Sequence, residues 1–511
     1  MVNLPKLIPV SDEALKRPTI LLLSDDLNAP SGIGTMSREF VFKTSNRFNW
    51  IQIASSIDHP NAGKIIDISE QVQKETGYET VSVKLYPYNG YGDSKILRYI
   101  LDNEKVDGIL HFTDPRYWTW LYMLEHDIRA NYCIPIMYYS IWDDLPIPFW
   151  NLNSYSSCDL LMAINKQTHI IHQEVLKSGG YVPIDIRLKE FKELSKDSNE
   201  VLCDYIPHGI DENKFYPITV EDPLYNEYSE FQTKFVESHK SKFIVFWNNR
   251  NIRRKQPGDV ILSFKYFKDL VQETYGDDAA NSCLLFMHTA PIDPNGTDLI
   301  SVKNIIAPDC RIIFSTEKVS SKILNFYYNI ADVTLNIASN EGFGLSNAES
   351  IMAGTLTIAN VTGGLQDQMG FYHNDGSEFF PTAEFITNHK KGLLQHKHWS
   401  IPVFPTNHSL QGSIETPYIF DDRVQPESVA QALLNAYESG REDLKKRAIV
   451  GREWMINYAK MTSNQMADSM YKSIKLCIDT FKQKPKYQLT QINEKKQPQY
   501  NGVTKFKAVA D

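Results

Sequence analysis

The 511-residue chain carries 53 lysines and arginines against 62 aspartates and glutamates, a formal net charge of −9, with 42% hydrophobic and 12% aromatic residues. A chain this long and this apolar can bury more than one core, so two large domains are expected. The acidic balance argues against a protein that is basic throughout, and no apolar window reaches the length of a membrane span.

Met1 to Pro18 lacks the apolar core of a signal peptide, which predicts a soluble, cytoplasmic chain. The six cysteines (Cys133, Cys158, Cys203, Cys283, Cys310 and Cys477) lie far apart, with no metal-ligand or redox spacing. They are expected to be reduced core thiols rather than a disulfide framework or a zinc site.

Strand-length β-branched runs alternate with helix-length amphipathic segments along most of the chain, the pattern of α/β units on parallel sheets. Thr19 to Ser24 reads as a buried strand, "DDLNAPSGIG" as a loop and Thr35 to Lys43 as a helix. Further strands are predicted at Trp50 to Ser55, Gly108 to Phe112, Ile134 to Tyr139 and Leu160 to Ile164, the last followed by the helix "NKQTHIIHQE". A first Rossmann-like domain is expected over 1–215.

Residues 216–242 are charged and aromatic without a strand pattern, as in an interdomain connection. The alternation then restarts, with strands at Phe243 to Trp247, Cys283 to His288, Arg311 to Ser315, Val333 to Ile337 and Thr355 to Ala359. Helices fit Ser320 to Asn329, Ser346 to Ala353 and Pro426 to Ser439. The expected organisation is a second Rossmann-like domain over 243–455, then a helix over 456–481 packing back on the first domain. From Lys482 to Lys507 seven lysines face one acid, Glu494, which reads as a basic, flexible tail over 482–511.

The segment "SNEGFGLSNAES" (339–350) joins a strand to a helix at the carboxyl edge of the second sheet, where doubly wound folds bind ligands. Gly342 and Gly344 admit a ligand to the backbone, and the free amides of the helix start suit a phosphate. A carboxylate repels phosphate, so Glu341 and Glu349 are read as acceptors of hydroxyl hydrogen bonds, from a sugar and a ribose. For Glu349 a second reading stays open, because Ser346-Asn347-Ala348-Glu349 has the form of a capping box. Upstream, "NNRNIRRKQPGD" sets Arg250, Arg253, Arg254 and Lys255 between a strand and a helix, an arrangement suited to a diphosphate or to a solvated basic loop.

These segments together resemble the retaining nucleotide-sugar glycosyltransferases of the two-Rossmann-domain GT-B type, in particular glycosyltransferase family 4. The resemblance runs through "IPHGIDENKF" (206–215), Arg250 with Lys255, "YYNIADVTLNIASNEGFGLSNAESIMAG" (327–354) with its E-x7-E pair, and "TGGLQDQM" (362–369). It implies that Arg250 and Lys255 hold the donor diphosphate, that Glu341 contacts the transferred sugar, that Phe343, Gly344 and Leu345 offer amides, and that Glu349 binds the ribose. In the first domain it implies that Gly32 and Gly34 of "PSGIGTMSREF" lie against the diphosphate or acceptor, and that His111 of "GILHFTDP" lies near the sugar. Thr113 stands where a second histidine is common in the family.

No metal and no cofactor are implied, the donor being a nucleoside-diphosphate sugar. His169 with His172, and His396 with His398, lack a partner at ligand spacing and read as incidental. The family pattern is interrupted by an aromatic-rich insertion at about 370–415, expected to be an ordered flap over the donor sugar or an oligomer contact. The acceptor is open, DNA with hydroxymethylated bases being one possibility because of the basic tail. The rivals are a glycan- or nucleotide-sugar-binding protein without turnover and a dinucleotide binder; Ser37 at the third fingerprint glycine disfavours the latter.

Overall fold

A computed structural model describes residues 16–56, 58–188 and 199–483. The tail 484–511 therefore lies outside the described residues. Among those described, the strands form sheets of nine, six and two strands.

The first sheet is built from β1 (Thr19–Asp25), β2 (Asn49–Ser55), β3 (Ile66–Asp67), β4 (Val83–Pro87), β5 (Gly108–Phe112), β6 (Ile136–Ser140), β7 (Leu160–Ala163), β8 (Val182–Asp185) and β9 (Glu200–Tyr205). Its order is β3-β4-β2-β1-β5-β6-β7-β9-β8, parallel except for the β3–β4 pair. Leu21 lies between Ile51 on β2 and Ile109 on β5, all buried; continuous apolar strands of this kind belong to a sheet covered on both faces. Parallel strands end on one edge, so the loops after β1, β5 and β6 emerge side by side.

The second sheet contains β10 (Phe243–Asn248), β11 (Cys283–His288), β12 (Ile312–Ser315), β13 (Val333–Asn336), β14 (Leu356–Asn360) and β15 (Ser400–Val403), in the order β12-β11-β10-β13-β14-β15 and parallel throughout. A hairpin of β16 (Asn407–Gln411) and β17 (Ile419–Arg423) follows. The architecture is α/β, two parallel sheets with helices packed against them.

Several elements differ from the sequence-based expectation. Strands β4, β8 and β9 were not anticipated because their apolar runs are short or broken, by Lys84 in β4, by Pro183 in β8, and by Glu200 and Asp204 flanking three residues in β9. The stretch 216–242, read as a connection without strands, carries a helix, Tyr225–His239, whose Tyr228 and Phe231 pack on Phe326. The helix predicted to end at Ser439 continues to Asn457 across a kink at Gly440, whose φ of 76° suits glycine. Ser463–Thr480 forms the last described helix, opened by a capping box of Thr462 and Gln465, and it packs on the helix Gly32–Thr44, with Tyr471 against Phe48. Cys133 is exposed in a left-handed position at a helix end, not a core thiol, whereas the other five cysteines are buried; none is bonded to another.

The insertion is integrated rather than free. Phe371, Phe379 and Leu394 bury against Val361, Leu365 and Met369, and its later part supplies β15 and the first strand of the hairpin, β16. No described helix is long and apolar enough to cross a membrane.

Candidate active site

The carboxyl edges of the two sheets face each other across a cleft with a cavity of about 1050 Å³. Direct contacts hold the edges together. Asn165 Nδ2 donates to Gly342 O at 2.7 Å, and the Lys166 amide donates to Asp367 at 2.8 Å.

The second sheet supplies the cations. Strand β10 ends in Asn248, and the chain makes a tight turn at Arg253–Lys255 before the helix Pro257–Tyr275. Pro257 suits the first helical position, but Gln256 before it takes a left-handed conformation, φ 52°, that a non-glycine residue adopts at a cost. That turn aims Lys255 inward, where its ammonium forms a buried ion pair with Glu341. Burial lowers the Lys255 pKa to about 8, with Glu341 opposing the drop. Burial also disfavours the Glu341 charge, yet Lys255 and Arg254 outweigh it and hold the carboxyl below its usual range. Arg254 donates to Asn340 O at 2.8 Å and reaches Glu341 at 3.5 Å. Arg250 lines the mouth of the cleft, exposed and paired with Asp293 at 2.9 Å.

The loop from Glu341 to Leu345 lies on the floor. Gly344 has φ 89°, and a side chain there would strike Leu365 at 2.6 Å. Gly342 faces the first domain, with Ile164 2.9 Å from where a Cβ would stand. Beneath them Gly363 and Gly364 nest on the Glu341 and Gly342 carbonyls, and the Gly364 amide donates to Glu341 O at 2.9 Å. The helix Leu345–Met352 begins at Gly344 with no side-chain cap, so the capping box from Ser346 to Glu349 does not form. Glu349 accepts instead from the Tyr328 hydroxyl at 2.8 Å, and that hydroxyl accepts from Asn248 at 2.9 Å. Burial pushes the Glu349 carboxyl up to about 7, against the Tyr328 hydrogen bond.

On the first domain, Gly32 lines the cleft opposite Leu345, 3.4 Å from the position of an added Cβ. Gly34 does not line it. The helix begins earlier than expected, at Gly32, and a Cβ on Gly34 would lie 2.6 Å from Ala29 O and 2.8 Å from Asp26 O. Its role is close packing of its own loop. His111 is likewise behind the lining: it is fully buried, stacks on Tyr138 and has Nδ1 2.7 Å from the Tyr122 hydroxyl. Burial lowers its pKa to about 3. Thr113 does not line the cleft either; Asp114 and Arg116, just beyond it, do.

Sequence reasoning passed over Asp143 and Asp144 after β6. Both line the cleft; Asn340 donates to Asp144, and burial together with the neighbouring Asp143 charge raises the Asp144 carboxyl well above the usual range. The signal was present as "WDD" after an apolar strand, at the edge that already marked Glu341. His208, within the 206–215 segment, also lines the cleft, packing edge-on to Phe343 at 5.2 Å. The third wall is the loop of the hairpin, from Gln411 to Thr416. Thr416 accepts from Arg116 at 2.5 Å, the Phe420 amide donates to Leu145 O at 2.7 Å, and Tyr418 packs edge-on to Trp150 at 4.3 Å.

Comparison with solved structures shows what this architecture resembles. HepE from Anabaena, solved in complex with UDP and glucose, aligns with 90% of this chain and 100% of its own, at 11% identity and TM-score 0.55. The fold is GT-B. Sucrose-phosphate synthase from Thermosynechococcus elongatus gives TM-score 0.54 at 14% identity, covering 90% of this chain and 98% of its own. The E. coli trehalose-6-phosphate structure bound with UDP-2-fluoro glucose gives 0.56 at 10% identity, covering 89% and 99%. No family model and no curated protein sequence matches the chain.

Proposed function

We propose that the protein transfers a sugar from a nucleoside-diphosphate sugar to an acceptor hydroxyl with retention at the anomeric carbon, acting in the cytoplasm. The observation that carries this reading is the buried Lys255–Glu341 pair at the floor of the cleft, with Glu349 at the far end of the same loop and helix. One cation and two carboxylates lining the same cleft suit a diphosphate that carries a polyhydroxylated ring at each end. The fold supports the reading, since neighbours at this architecture were solved with UDP, UDP-glucose or UDP-2-fluoro glucose. In it the domain 243–455 holds the donor and the domain 1–215 faces the acceptor.

Donor binding then exchanges partners. The diphosphate takes over Lys255 and draws on Arg250, while Glu341, released toward the sugar and still near Arg254, accepts sugar hydroxyls. Glu349 accepts from the ribose, and the amides of Phe343, Gly344 and Leu345 meet the phosphates. In the chemical step the acceptor oxygen bonds to the anomeric carbon as the bond from that carbon to the phosphate oxygen breaks. The acceptor proton passes to the departing phosphate oxygen, giving a glycosylated acceptor and a nucleoside diphosphate. Lys255 and Arg250 stabilise the charge that develops on the leaving group, and the apposed domains fix the geometry.

The test is product analysis by NMR after incubation with the donor that the protein accepts: an anomeric configuration equal to the donor's supports the reading, and an inverted product refutes retention. For the acceptor, the basic sequence 482–507 suits a polyanion, and DNA with hydroxymethylated bases is one candidate beside small metabolites, glycans and protein side chains. Transfer of labelled sugar to such DNA, with binding that weakens steeply as salt rises, supports that acceptor, and transfer only to small molecules removes it.

A further inference from the structure

Three side chains that sugar transfer leaves unused converge behind the hairpin wall. His389 belongs to the segment between the helix Gly363–Asp367 and β15, His408 to β16 and Asp422 to β17. His408 and Asp422 are direct cross-strand partners, so the hairpin register itself brings two of the three together. His408 Nδ1 lies 2.7 Å from Asp422 Oδ1, and His389 Nε2 lies 3.1 Å from Oδ2. All three donor atoms fall within 4.8 Å of one another. His389 Nε2 is buried, and its orientation toward the carboxylate makes no aligned hydrogen bond.

We propose that His389, His408 and Asp422 bind a divalent transition-metal ion, zinc or a cation of similar borderline softness. Two imidazole nitrogens and a carboxylate oxygen are a donor set such ions favour over calcium or magnesium. Metal–nitrogen bonds of about 2.0–2.1 Å put tetrahedral donors ~3.3 Å apart, near the 3.1 Å between His389 and Asp422 Oδ2, whereas His408, 2.7 Å from the other carboxylate oxygen, must swing outward to bind. The imidazole rings stack at 4.7 Å with an interplanar angle of 18°, so capture of the ion turns one of them outward from the stack. His408 is the ring free to turn, with 39% of its side chain exposed against 15% for His389. The carboxylate is already oriented: Thr362 Oγ1 donates to Asp422 Oδ2 at 2.8 Å, and the Asp422 amide donates to Ser339 O at 3.1 Å. Such outer support is characteristic of metal-binding carboxylates.

None of the three side chains lines the cleft, so the ion braces the wall rather than taking part in transfer. It ties the insertion to the hairpin, and through Thr362 to the helix that underlies Glu341. The ligands come from three separate segments of 389–422, which is why no ligand spacing marks them in the sequence.

Untagged full-length protein, stripped with a chelator and dialysed, is titrated with zinc by calorimetry and by thermal shift. The expected result is one equivalent bound with a raised melting temperature, and an affinity lowered by more than about tenfold in both His408→Ala and His389→Ala. Because His408 is half-exposed, its variant keeps the fold, which circular dichroism verifies. Failure of the wild type to bind one equivalent, or undiminished binding in both variants, overturns the proposal. The readout is independent of sugar transfer, so the two readings fail separately.

Discussion

Replacing Glu349 by glutamine isolates what the chain gives up to hold an ionisable group at this end of the cleft. Burial raises this carboxyl from 4.5 to about 7. Between those two values the folded protein binds a proton that the unfolded chain lacks, so this group's contribution to stability falls as pH rises from 4.5 and levels off above 7. At 1.36 kcal/mol per pH unit the full swing is roughly 3 kcal/mol, and partial solvent contact of the side chain trims it to about 2. Glutamine stays neutral and can still accept from Tyr328. Relative to wild type the variant should therefore gain about 2 kcal/mol between pH 4.5 and 7.5, roughly 4–8 °C in melting temperature for a domain of this size. Scanning both proteins across that range by differential fluorimetry cancels every other titrating group. The same variant should bind the donor about 10–100-fold more weakly, the cost of losing charge-assisted hydrogen bonds to the ribose. Parallel melting curves at all pH values would refute the burial argument.

Lys255→Ala should lower turnover by about a hundredfold or more while the protein stays folded, because Arg254 remains beside Glu341; steady-state kinetics with circular dichroism reads both. Since burial sets Lys255 near 8, donor affinity should weaken as pH passes above 8 and the ammonium loses its proton, and isothermal titration at pH 7 and 9 measures that. Gly364→Ala pushes a methyl to 2.3 Å from Gly342 O and should cost at least about 1–3 kcal/mol along with donor binding, read by melting temperature and ligand-induced shift. Tyr418→Ala removes the edge-on contact with Trp150 and should cost about 1 kcal/mol and raise the donor KM more than it lowers kcat, which initial-rate measurements separate.

Much of the two-sheet architecture was legible because parallel strands buried on both faces leave uninterrupted apolar runs, as at Ile20–Leu23 and Cys283–His288. The pattern fades where a strand carries charge, as at Lys84 and Asp204. Candidate site residues on one strand-to-helix loop were readable together, since Glu341 to Glu349 share a local segment. What sequence could not supply was the facing edge. Whether His111 points into the cleft or behind Tyr138 depends on how neighbouring strands and the Thr119–Met123 helix pack on it, and whether Asp143 faces Glu341 depends on packing between residues about two hundred positions apart. Gly34 illustrates the same limit: a glycine needed for a ligand and one needed for its own turn are indistinguishable until the clash with Ala29 O is visible. The insertion cannot be deleted in isolation, since removing 372–412 takes β15 from the sheet and β16 from the hairpin.

A cleft that binds and cleaves a nucleotide sugar must select a donor and release its nucleoside diphosphate. The decisive measurement incubates wild type and Lys255→Ala with a panel of UDP-, GDP-, ADP- and CDP-sugars, following thermal shift and slow release of the nucleoside diphosphate. One donor class should stabilise the wild type and be hydrolysed by it, with release in the variant slower by about a hundredfold or more. Stabilisation by no donor, or equal release by both proteins, would contradict this reading.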